Sequence, residues 1–258
     1  MDDIRIRARA LKGEPLIGSF LNTGSPILAE IAGRSGLDWC QLDMEHGSGS
    51  WEMLANQLMA LEGTGAAPIV RLPTLEPVGF KRALDLGTHG LMIPNVSTPE
   101  EAQRAVSYSR YPPRGTRGVS SMNRSAHFGA RFDESLKTAH ERTLLVLQIE
   151  SPEAVANARE IASIDGVDVL FVGPLDLSVN LGIPRQFDHP DFIEAAESVS
   201  EAARRNGKSS GILAFGTDGI ATAYQRGFNM VAVGSDGGMV ANGMKAIVDA
   251  NKDTLANR

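Results

Sequence analysis

The sequence of 258 residues has very little cysteine, because Cys40 is the only one. A single cysteine excludes a disulfide framework within the chain. Its place inside the apolar run 38–43 is typical of a small buried hydrophobe and argues against a catalytic thiol. The first residues do not show the charged, apolar and small-residue order of a secretory signal. We therefore expect a protein of the reducing cytoplasm.

Basic charge and long apolar runs are also scarce. The chain has 25 Lys and Arg against 31 Asp and Glu, which gives a net charge of -6. Binding to phosphate backbones depends on clustered basic residues, so we expect no nucleic-acid partner. No apolar run approaches the ~20 residues that a membrane-spanning helix needs, so we expect no membrane partner either. Hydrophobic residues at 42% are ordinary for a folded globular protein.

Short apolar runs alternate with stretches of helical spacing along the whole chain. This alternation is typical of βαβ units. The predicted strands are residues 16–20, 38–43, 67–72, 90–94, 143–150, 167–173, 210–215 and 230–236. The predicted helices are residues 25–34, 51–62, 77–86, 99–109, 152–163, 192–206 and 217–226. Eight strands with helical crossovers predict an α/β fold, a closed (β/α)8 TIM barrel over residues 1–258, with an open doubly wound sheet as the alternative.

One segment, residues 111–142, interrupts this alternation between the fourth helix and the fifth strand. Excursions of this length in compact domains are usually binding loops or lids. The segment is rich in Gly, Ser, Asn and Arg, which suits contact with a polar ligand or a neighbouring subunit. A surface insertion without a function is the alternative.

Strong polar residues end several of the predicted strands. In a (β/α)8 barrel the catalytic groups lie at the carboxyl ends of the strands, so these residues are predicted to share one rim. They are Asp43, Glu45, His46, Arg71, Gln148, Glu150 and Asp176.

Glu150 and Asp176 end successive predicted strands, which places their carboxylates side by side. Two such groups repel each other unless they share a proton or a cation. A divalent ion with all-oxygen ligands, Mg²⁺ or Mn²⁺, is the predicted solution. The alternative is structural, with each acid capping the following helix or pairing with an arginine.

Arg71 and His46 are the other candidate site residues. A guanidinium at the end of an apolar strand needs an anion, either a substrate carboxylate or, as the alternative, an acid of the barrel. His46 follows the second strand and is a candidate base near neutral pH. Asp85, near the end of the third predicted helix, is a candidate to orient the imidazole.

Two further absences narrow the chemistry. None of the six lysines ends a predicted strand, which disfavours an aldolase that works through a Schiff base. In an aldolase without a Schiff base, the metal ion is expected to stabilise the enolate intermediate. Neither a GxGxxG after the first strand nor a GxxxxGK[ST] is present, so dinucleotide and P-loop nucleotide binding have no support.

The same residues carry a family resemblance that covers nearly the whole chain. The sequence resembles the HpcH/HpaI family of class II pyruvate aldolases, whose fold is a TIM barrel of the phosphoenolpyruvate/pyruvate-binding type. The motifs are LDMEHG at 42–47, IVRLP at 69–73, LDLGTHGLMIPNV at 84–96, RYPPRGTRGV at 110–119, LQIES at 147–151 and FVGPLDLS at 171–178. Six motifs in order are far more specific than any one of them.

The resemblance implies a role for each matching residue. Glu150 and Asp176 correspond to the metal ligands, for which Co²⁺ and Zn²⁺ are further candidates, and His46 with Asp85 corresponds to a catalytic dyad. The groups expected to bind substrate are Arg71, Gln148, the backbone of Gly173, Pro174 and Leu175, and the acceptor-binding segment with Ser120, Ser121 and Arg124.

The resemblance also implies an assembly and leaves the acceptor open. Family members form trimers or hexamers, with swapped C-terminal helices and with the long loop of one subunit at a neighbour's site. Met44 and the residues 47–49 depart from the common family pattern, which puts the aldehyde acceptor in doubt.

The expected activity is aldol cleavage and condensation of 4-hydroxy-2-oxo acids, which gives pyruvate or hydroxypyruvate and an aldehyde. The base that takes the proton of the C4 hydroxyl is either His46, backed by Asp85, or a metal-bound water that His46 deprotonates. One alternative is a lyase for acyl-CoA thioesters of the citrate lyase beta type. A barrel that binds a keto acid without catalysis is the other.

Overall fold

A computed structural model describes residues 6–252 of the chain, in which helices and strands alternate. The first half contains α1 (Ile6–Leu11), β1 (Leu16–Leu21), α2 (Pro26–Arg34), β2 (Trp39–Asp43), α3 (Trp51–Leu61), β3 (Ala67–Arg71), α4 (Pro77–Asp85), β4 (Gly90–Ile93) and α5 (Pro99–Ser109). The second half contains a 3₁₀ segment (Arg124–Gly129), α6 (Phe132–Arg142), β5 (Leu144–Ile149), α7 (Pro152–Ser163), β6 (Val169–Val172), α8 (Pro174–Asn180), α9 (Pro190–Arg205), β7 (Ser209–Ala214), α10 (Gly216–Gln225), β8 (Met230–Ser235) and α11 (Asp236–Ala250).

The eight strands form one closed parallel barrel in chain order. β1 pairs with β2 on one side and with β8 on the other, so the sheet has no free edge. The predicted (β/α)8 barrel is therefore confirmed, and the open sheet that was its alternative is wrong. All eight predicted strands are present, with ends that differ from the prediction by no more than two residues.

Two separate hydrophobic clusters correspond to the two faces of the barrel sheet. Trp39, Ile69 and Phe171 belong to the inner cluster, and the rings of Trp39 and Phe171 meet edge to face at 6.2 Å between centroids. The outer cluster lies between the strands and the helices and contains residues such as Leu42 and Val70. Side chains of a strand alternate between its faces, so both clusters form from the same continuous apolar runs.

Local sequence signals explain where several helices begin. Ser25, Ser50, Thr98 and Ser151 each accept a hydrogen bond from a backbone N–H in the first turn of the helix that follows. These side chains satisfy N–H groups that have no partner within the helix. Proline follows at the first helical position in α2, α5 and α7, where its missing N–H costs nothing.

The excursion at residues 111–142 is not a simple loop. It ends in α6, a helix of 11 residues that has no buried side chain. Phe132, Leu136 and Ala139 follow helical spacing along α6, but Leu136 is 38% exposed and the other two are only half-buried. Within residues 6–252, no helix combines the length and the apolar character that a bilayer crossing demands.

Candidate active site

Four charged side chains meet at one mouth of the barrel. Asp43 ends β2 and lies in register with Arg71, which ends β3. Glu150 follows β5 directly, and Asp176 lies in the first turn of α8, just after β6. Parallel strands end on the same side of a barrel, so these groups share the rim that the sequence predicted.

Arg71 is held by two acids of its own chain. Its Nε and Nη2 donate to the two carboxylate oxygens of Asp43 at 3.0 and 2.7 Å, and its Nη1 lies 3.1 Å from Oε2 of Glu45. Burial opposes the charge of Arg71, but its hydrogen bonds to Asp43 raise its pKa above the ordinary value. The structural ion pair is therefore present. A guanidinium has five N–H donors, so two of them are left for a substrate carboxylate.

Glu150 is buried at the mouth, with 4% of the residue exposed. Its Oε1 accepts from Nε2 of Gln148 at 2.9 Å, and its Oε2 accepts from the backbone N–H of Asn95 at 3.1 Å. The carboxylate lies across the backbone of Gly173, where an added Cβ would be 2.1 Å from Oε1. A side chain at position 173 would therefore displace this carboxylate.

Two acids at the mouth, Glu150 and Glu45, have raised pKa values. Burial is the main cause that raises the pKa of Glu150 to about 7; the Asn95 N–H lowers it, and the charges of Asp176 and Glu45 raise it. Burial also raises the pKa of Glu45, and Asp176 adds to that shift. Glu45, Glu150 and Asp176 thus lie close enough for their charges to repel. A bound cation would relieve this repulsion.

His46 stands at the same mouth on a loop that is fixed through its backbone. Oδ1 of Asp43 accepts from the N–H groups of Glu45 and His46 at 3.1 and 3.2 Å. The imidazole is 70% exposed, and its Nε2 lies 3.8 Å from Oε1 of Glu45. The ring is therefore open to a substrate, and the position of its backbone determines where it can reach.

The fold does not bring Asp85 to His46 within one chain. Asp85 ends α4, which runs antiparallel to the strands, and the next turn binds the start of β3 through Thr88 Oγ1 and Pro68 O at 2.9 Å. The carboxylate accepts from Nη2 of Arg117 at 2.8 Å. His46 lies past the other end of the strands, so the expected dyad cannot form inside a single subunit. A pair between these residues requires two copies of the chain.

The segment with Ser120, Ser121 and Arg124 also lies away from the mouth of its own chain. Arg124 donates from Nη1 to the carbonyl of Leu86 at 3.0 Å, and its Nη2 lies 2.5 Å from Oε2 of Glu62. Leu86 and Glu62 directly follow α4 and α3, so Arg124 sits at the carboxyl ends of two helices. Ser120 and Ser121 are exposed beside it. An acceptor-binding role for these residues would serve a neighbouring subunit.

The donor groups at the mouth fit a hard divalent cation. Throughout residues 6–252, no group of three or more His, Cys, Asp or Glu residues is arranged to hold a metal. A metal held here would have two protein carboxylates, Glu150 and Asp176, and would complete its shell with substrate and water oxygens, as Mg²⁺ commonly does. Oε1 of Gln148 is buried and has no hydrogen-bond partner in the described part of the chain. It remains available as an acceptor beside Glu150.

Two groups of the site were not among the sequence candidates. The backbone N–H of Asn95 binds Glu150 from a residue with φ of 54°, in the left-handed region, and no sequence signal marks such an amide. Gln41 is fully buried inside the barrel, and its amide atoms have no partner among the residues that the structure describes. Alternation along β2 could have found it, because Trp39, Gln41 and Asp43 lie on one face.

A closed (β/α)8 barrel with two carboxylates, a buried arginine and an exposed histidine at its mouth is typical of enzymes for small polar substrates. The profile of the HpcH/HpaI aldolase/citrate lyase family matches residues 16–243. The chain belongs to this family and is a carbon-carbon lyase of the aldolase type.

Relatives with names and with solved structures are similar over almost the full length. The 5-keto-4-deoxy-D-glucarate aldolase of Shigella boydii serotype 18 is 42% identical over 92% of this chain and 91% of its own. The crystal structure of an HpcH/HpaI aldolase/citrate lyase family protein from Burkholderia cenocepacia J2315 superposes with a TM-score of 0.91 at 35% identity, over 96% of this chain and 98% of that one. An HpcH/HpaI aldolase from Desulfitobacterium hafniense DCB-2 gives 0.87 at 29% identity, over 94% and 96%.

Proposed function

We propose that the protein is a metal-dependent aldolase for 4-hydroxy-2-oxo acids, with the ion held by Glu150 and Asp176. One observation carries this proposal: a buried carboxylate lies across Gly173 with the charge of a second acid beside it, and within residues 6–252 no lysine or arginine is bonded to it. Such an arrangement is costly without a bound cation. The aldolase name of the relative at 42% identity supports the same reaction class and disfavours the acyl-CoA lyase alternative.

When bound, the ion, Mg²⁺ or Mn²⁺ with Co²⁺ and Zn²⁺ as further candidates, would act as a Lewis acid for negative charge on the keto oxygen of the substrate. The protein residues bind and orient the rest of the molecule. Arg71 offers its two remaining N–H groups to the substrate carboxylate, and Gln148 lies beside the keto acid. The backbone of Gly173, Pro174 and Leu175 completes the carboxylate site. Pro174 has no N–H, so the donor there is the first-turn N–H of Leu175, which lacks a partner within the helix.

His46 handles the proton in this proposal. In the cleavage direction, Nε2 of His46 takes the proton of the C4 hydroxyl, directly or through a water molecule. The electron pair of the broken O–H bond forms the second C–O bond of the aldehyde while the C3–C4 bond breaks, and the C3–C4 electron pair goes to the three-carbon enolate. The proton then returns to C3, which becomes the methyl group of pyruvate. No electron is lost or gained overall, so the reaction needs no oxidant.

The first substrate to examine is 5-keto-4-deoxy-D-glucarate, which the name of the Shigella boydii relative contains. Cleavage of the bond beyond its methylene group gives pyruvate and a three-carbon aldehyde that carries its own carboxylate. A cation would recognise that carboxylate, and Arg124 of a neighbouring subunit, flanked by Ser120 and Ser121, is our candidate.

The working enzyme in this proposal is a homotrimer or homohexamer. In the isolated chain, α11 exposes five large apolar side chains, each at least 40% accessible: Met239, Val240, Met244, Ile247 and Val248. Exposed apolar area of this extent is typical of a surface that another subunit covers. A swap of this C-terminal helix between subunits would bury it and bring Asp85 and the segment 120–124 near a neighbour's mouth.

The test is isotope exchange with pyruvate in D₂O, which needs no knowledge of the acceptor. We expect the methyl protons to exchange when the protein carries Mn²⁺ or Mg²⁺ and to remain after chelation. The double variant Glu150→Gln with Asp176→Asn should exchange no faster than free metal in solution. Exchange that is equally fast in chelated and metal-loaded protein would overturn the metal proposal. Release of pyruvate from 5-keto-4-deoxy-D-glucarate, followed with lactate dehydrogenase, then tests the substrate.

A further inference from the structure

The start of α11 is tied to the loop that follows β1. Asp236 is the first residue of α11 and, within this described helix, its only buried one. Its Oδ1 accepts from the backbone N–H groups of Asn22 at 2.8 Å and Thr23 at 3.3 Å, and Oδ2 accepts from the hydroxyl of Thr23. The N–H of Gly237 donates to Oδ1 at 2.7 Å. This carboxylate therefore fixes the backbone at residues 22 and 23.

The loop after β1 in turn holds the loop that carries His46. The carbonyl of Asn22 accepts from the backbone N–H of Ser48 at 2.9 Å. The two loops are in close contact, because a Cβ on Gly47 would be 3.2 Å from that carbonyl and 2.1 Å from the carbonyl of Asp43. A shift of Asn22 would therefore move Ser48 and its neighbours.

The His46 loop thus has one anchor on each side. Before His46, Oδ1 of Asp43 binds the N–H groups of Glu45 and His46. After it, Ser48 binds Asn22, which Asp236 holds. The imidazole itself is 70% exposed and gets little support from side-chain packing. Within one chain, its place at the mouth depends on these two backbone anchors.

We propose that Asp236 is a positioning residue for His46 and acts through Asn22 and Ser48. The inference rests on the proposed function of His46 as the base. A base must lie within hydrogen-bond reach of the proton that it removes, and an error of about 1 Å can lower a rate by about 10²-fold. Arg71 bonds to Asp43 and Glu45, on the other side of the His46 loop. Among the described residues, neither it nor Glu150 bonds to Asn22, Ser48 or Asp236, so we expect binding of the metal and the keto acid to change little when that side is disturbed.

The test compares substitutions at position 236 by turnover and by binding. We expect Asp236→Ala to lower kcat by about 10²-fold, with KM for the hydroxy-oxo acid and the Kd of Mn²⁺ within about twofold of wild type. Asp236→Asn keeps an oxygen for the N–H groups of Asn22 and Thr23, and the hydroxyl of Thr23 can turn to accept from its amide. It should therefore recover most of the turnover. Equal kcat in Asp236→Ala and wild type would overturn the proposal.

A matched control separates positioning from the stability of α11. Ser235 caps the same helix by accepting from Gly238 N–H at 3.1 Å, and it does not bind the loop after β1. Ser235→Ala should weaken the start of α11 and leave kcat near the wild-type value. A loss of kcat as large as that of Asp236→Ala would mean that helix stability, not positioning, sets the rate.

Substitutions at Thr23 and at His46 test the proposal if Asp236→Ala does not fold. If Asp236→Ala fails to fold, Thr23→Val removes one bond to the carboxylate and should lower kcat, whereas Thr23→Ser should restore it. His46→Ala is measured with the same substrate. Unchanged turnover in His46→Ala overturns the proposed base, whereas loss there combined with full activity of Asp236→Ala and Thr23→Val overturns only the positioning role.

Discussion

Asp43 and Arg71 join the substrate side of the mouth to the catalytic loop through a single oxygen. Oδ1 of Asp43 accepts from Nε of Arg71 at 3.0 Å and also from the backbone N–H groups of Glu45 and His46. The same oxygen atom thus holds two groups in place. One is the guanidinium that we expect to bind the substrate, and the other is the backbone of the histidine that we expect to take its proton.

Asp43→Asn should destabilise the protein and slow catalysis together. An amide cannot accept from both arms of the guanidinium, and removal of one partner of a buried ion pair costs about 3–5 kcal/mol. Urea unfolding measures the loss. The control is Glu30→Gln, which breaks an exposed pair with Arg34 and should cost less than about 1 kcal/mol. Similar losses in the two variants would contradict the importance of the buried pair.

The ion pair of Asp43 with Arg71 should also make the free energy of unfolding depend on pH in the acid range. Burial raises the pKa of Asp43, but the hydrogen bonds and charge of Arg71 lower it more, so the folded pKa lies below the ordinary value. The stability from this group is complete above the unfolded pKa and is lost as pH falls through the folded pKa. Relative to Asp43→Asn, wild type should lose stability steeply below about pH 4. Parallel profiles of the two proteins would exclude this assignment.

In protein treated with a chelator, the ionisation of Glu150 should make stability depend on pH in the opposite direction from that of Asp43. Its folded pKa of about 7 exceeds its unfolded value of 4.5, so the folded state binds the extra proton between these pH values. Stability then falls as pH rises through this window, by about 3 kcal/mol in total, and stays low above it. Glu150→Gln lacks this proton and should gain about that much over wild type between pH 5 and pH 8 in EDTA. An equal pH dependence would show that Glu150 titrates near its unfolded value.

Gly173→Ala should reduce metal affinity without unfolding the barrel. Its Cβ would meet the carboxylate of Glu150 at 2.1 Å, so the carboxylate must leave its place. Displaced support around a metal ligand typically costs 10–100-fold in affinity, which titration with Mn²⁺ measures. Gly65→Ala is the control, because nothing lies within 4 Å of a Cβ at that position. An unchanged Mn²⁺ affinity in Gly173→Ala would place the ion elsewhere.

His46→Ala and Asp85→Asn should complement each other in mixed assemblies. If the two residues act on one substrate from different subunits, each pure variant has no complete site. A random mixture has about a quarter of its sites with both residues intact, so co-expressed variants should recover about a quarter of wild-type turnover. Two inactive proteins that stay inactive after co-assembly would show that Asp85 does not serve a neighbour's His46.

The strands were predictable because each is a short apolar run between turn residues, and a barrel strand buried on both faces needs nothing else. The predicted sixth strand began at Val167, two residues before β6. Val167 instead forms an isolated bridge with Asp165. The helix α6 was not predicted from the sequence. Its apolar residues Phe132, Leu136 and Ala139 form only a short stripe among charged residues, and none of them is buried.

The site was predictable in its residue types and less so in its contacts. Strand ends located Arg71, Glu150 and Asp176 at one mouth, because the rule of the carboxyl ends needs only chain order. The partners of Arg71 depended on side-chain geometry that no spacing encodes. The separation of Asp85 from His46 could have been predicted from the fold. A helix that follows a barrel strand returns to the opposite end of the barrel, and Asp85 ends such a helix.

The contact between Glu150 and Gly173 makes two positions inseparable, although 22 residues lie between them. Any change that gives residue 173 a side chain forces the acid at 150 to another place, and an acid moved from 150 leaves a gap above a glycine. Engineering of the proposed ion site therefore has to change the two positions together. For the same reason, a related sequence with a bulky residue at the position of Gly173 must hold its acid in a different way.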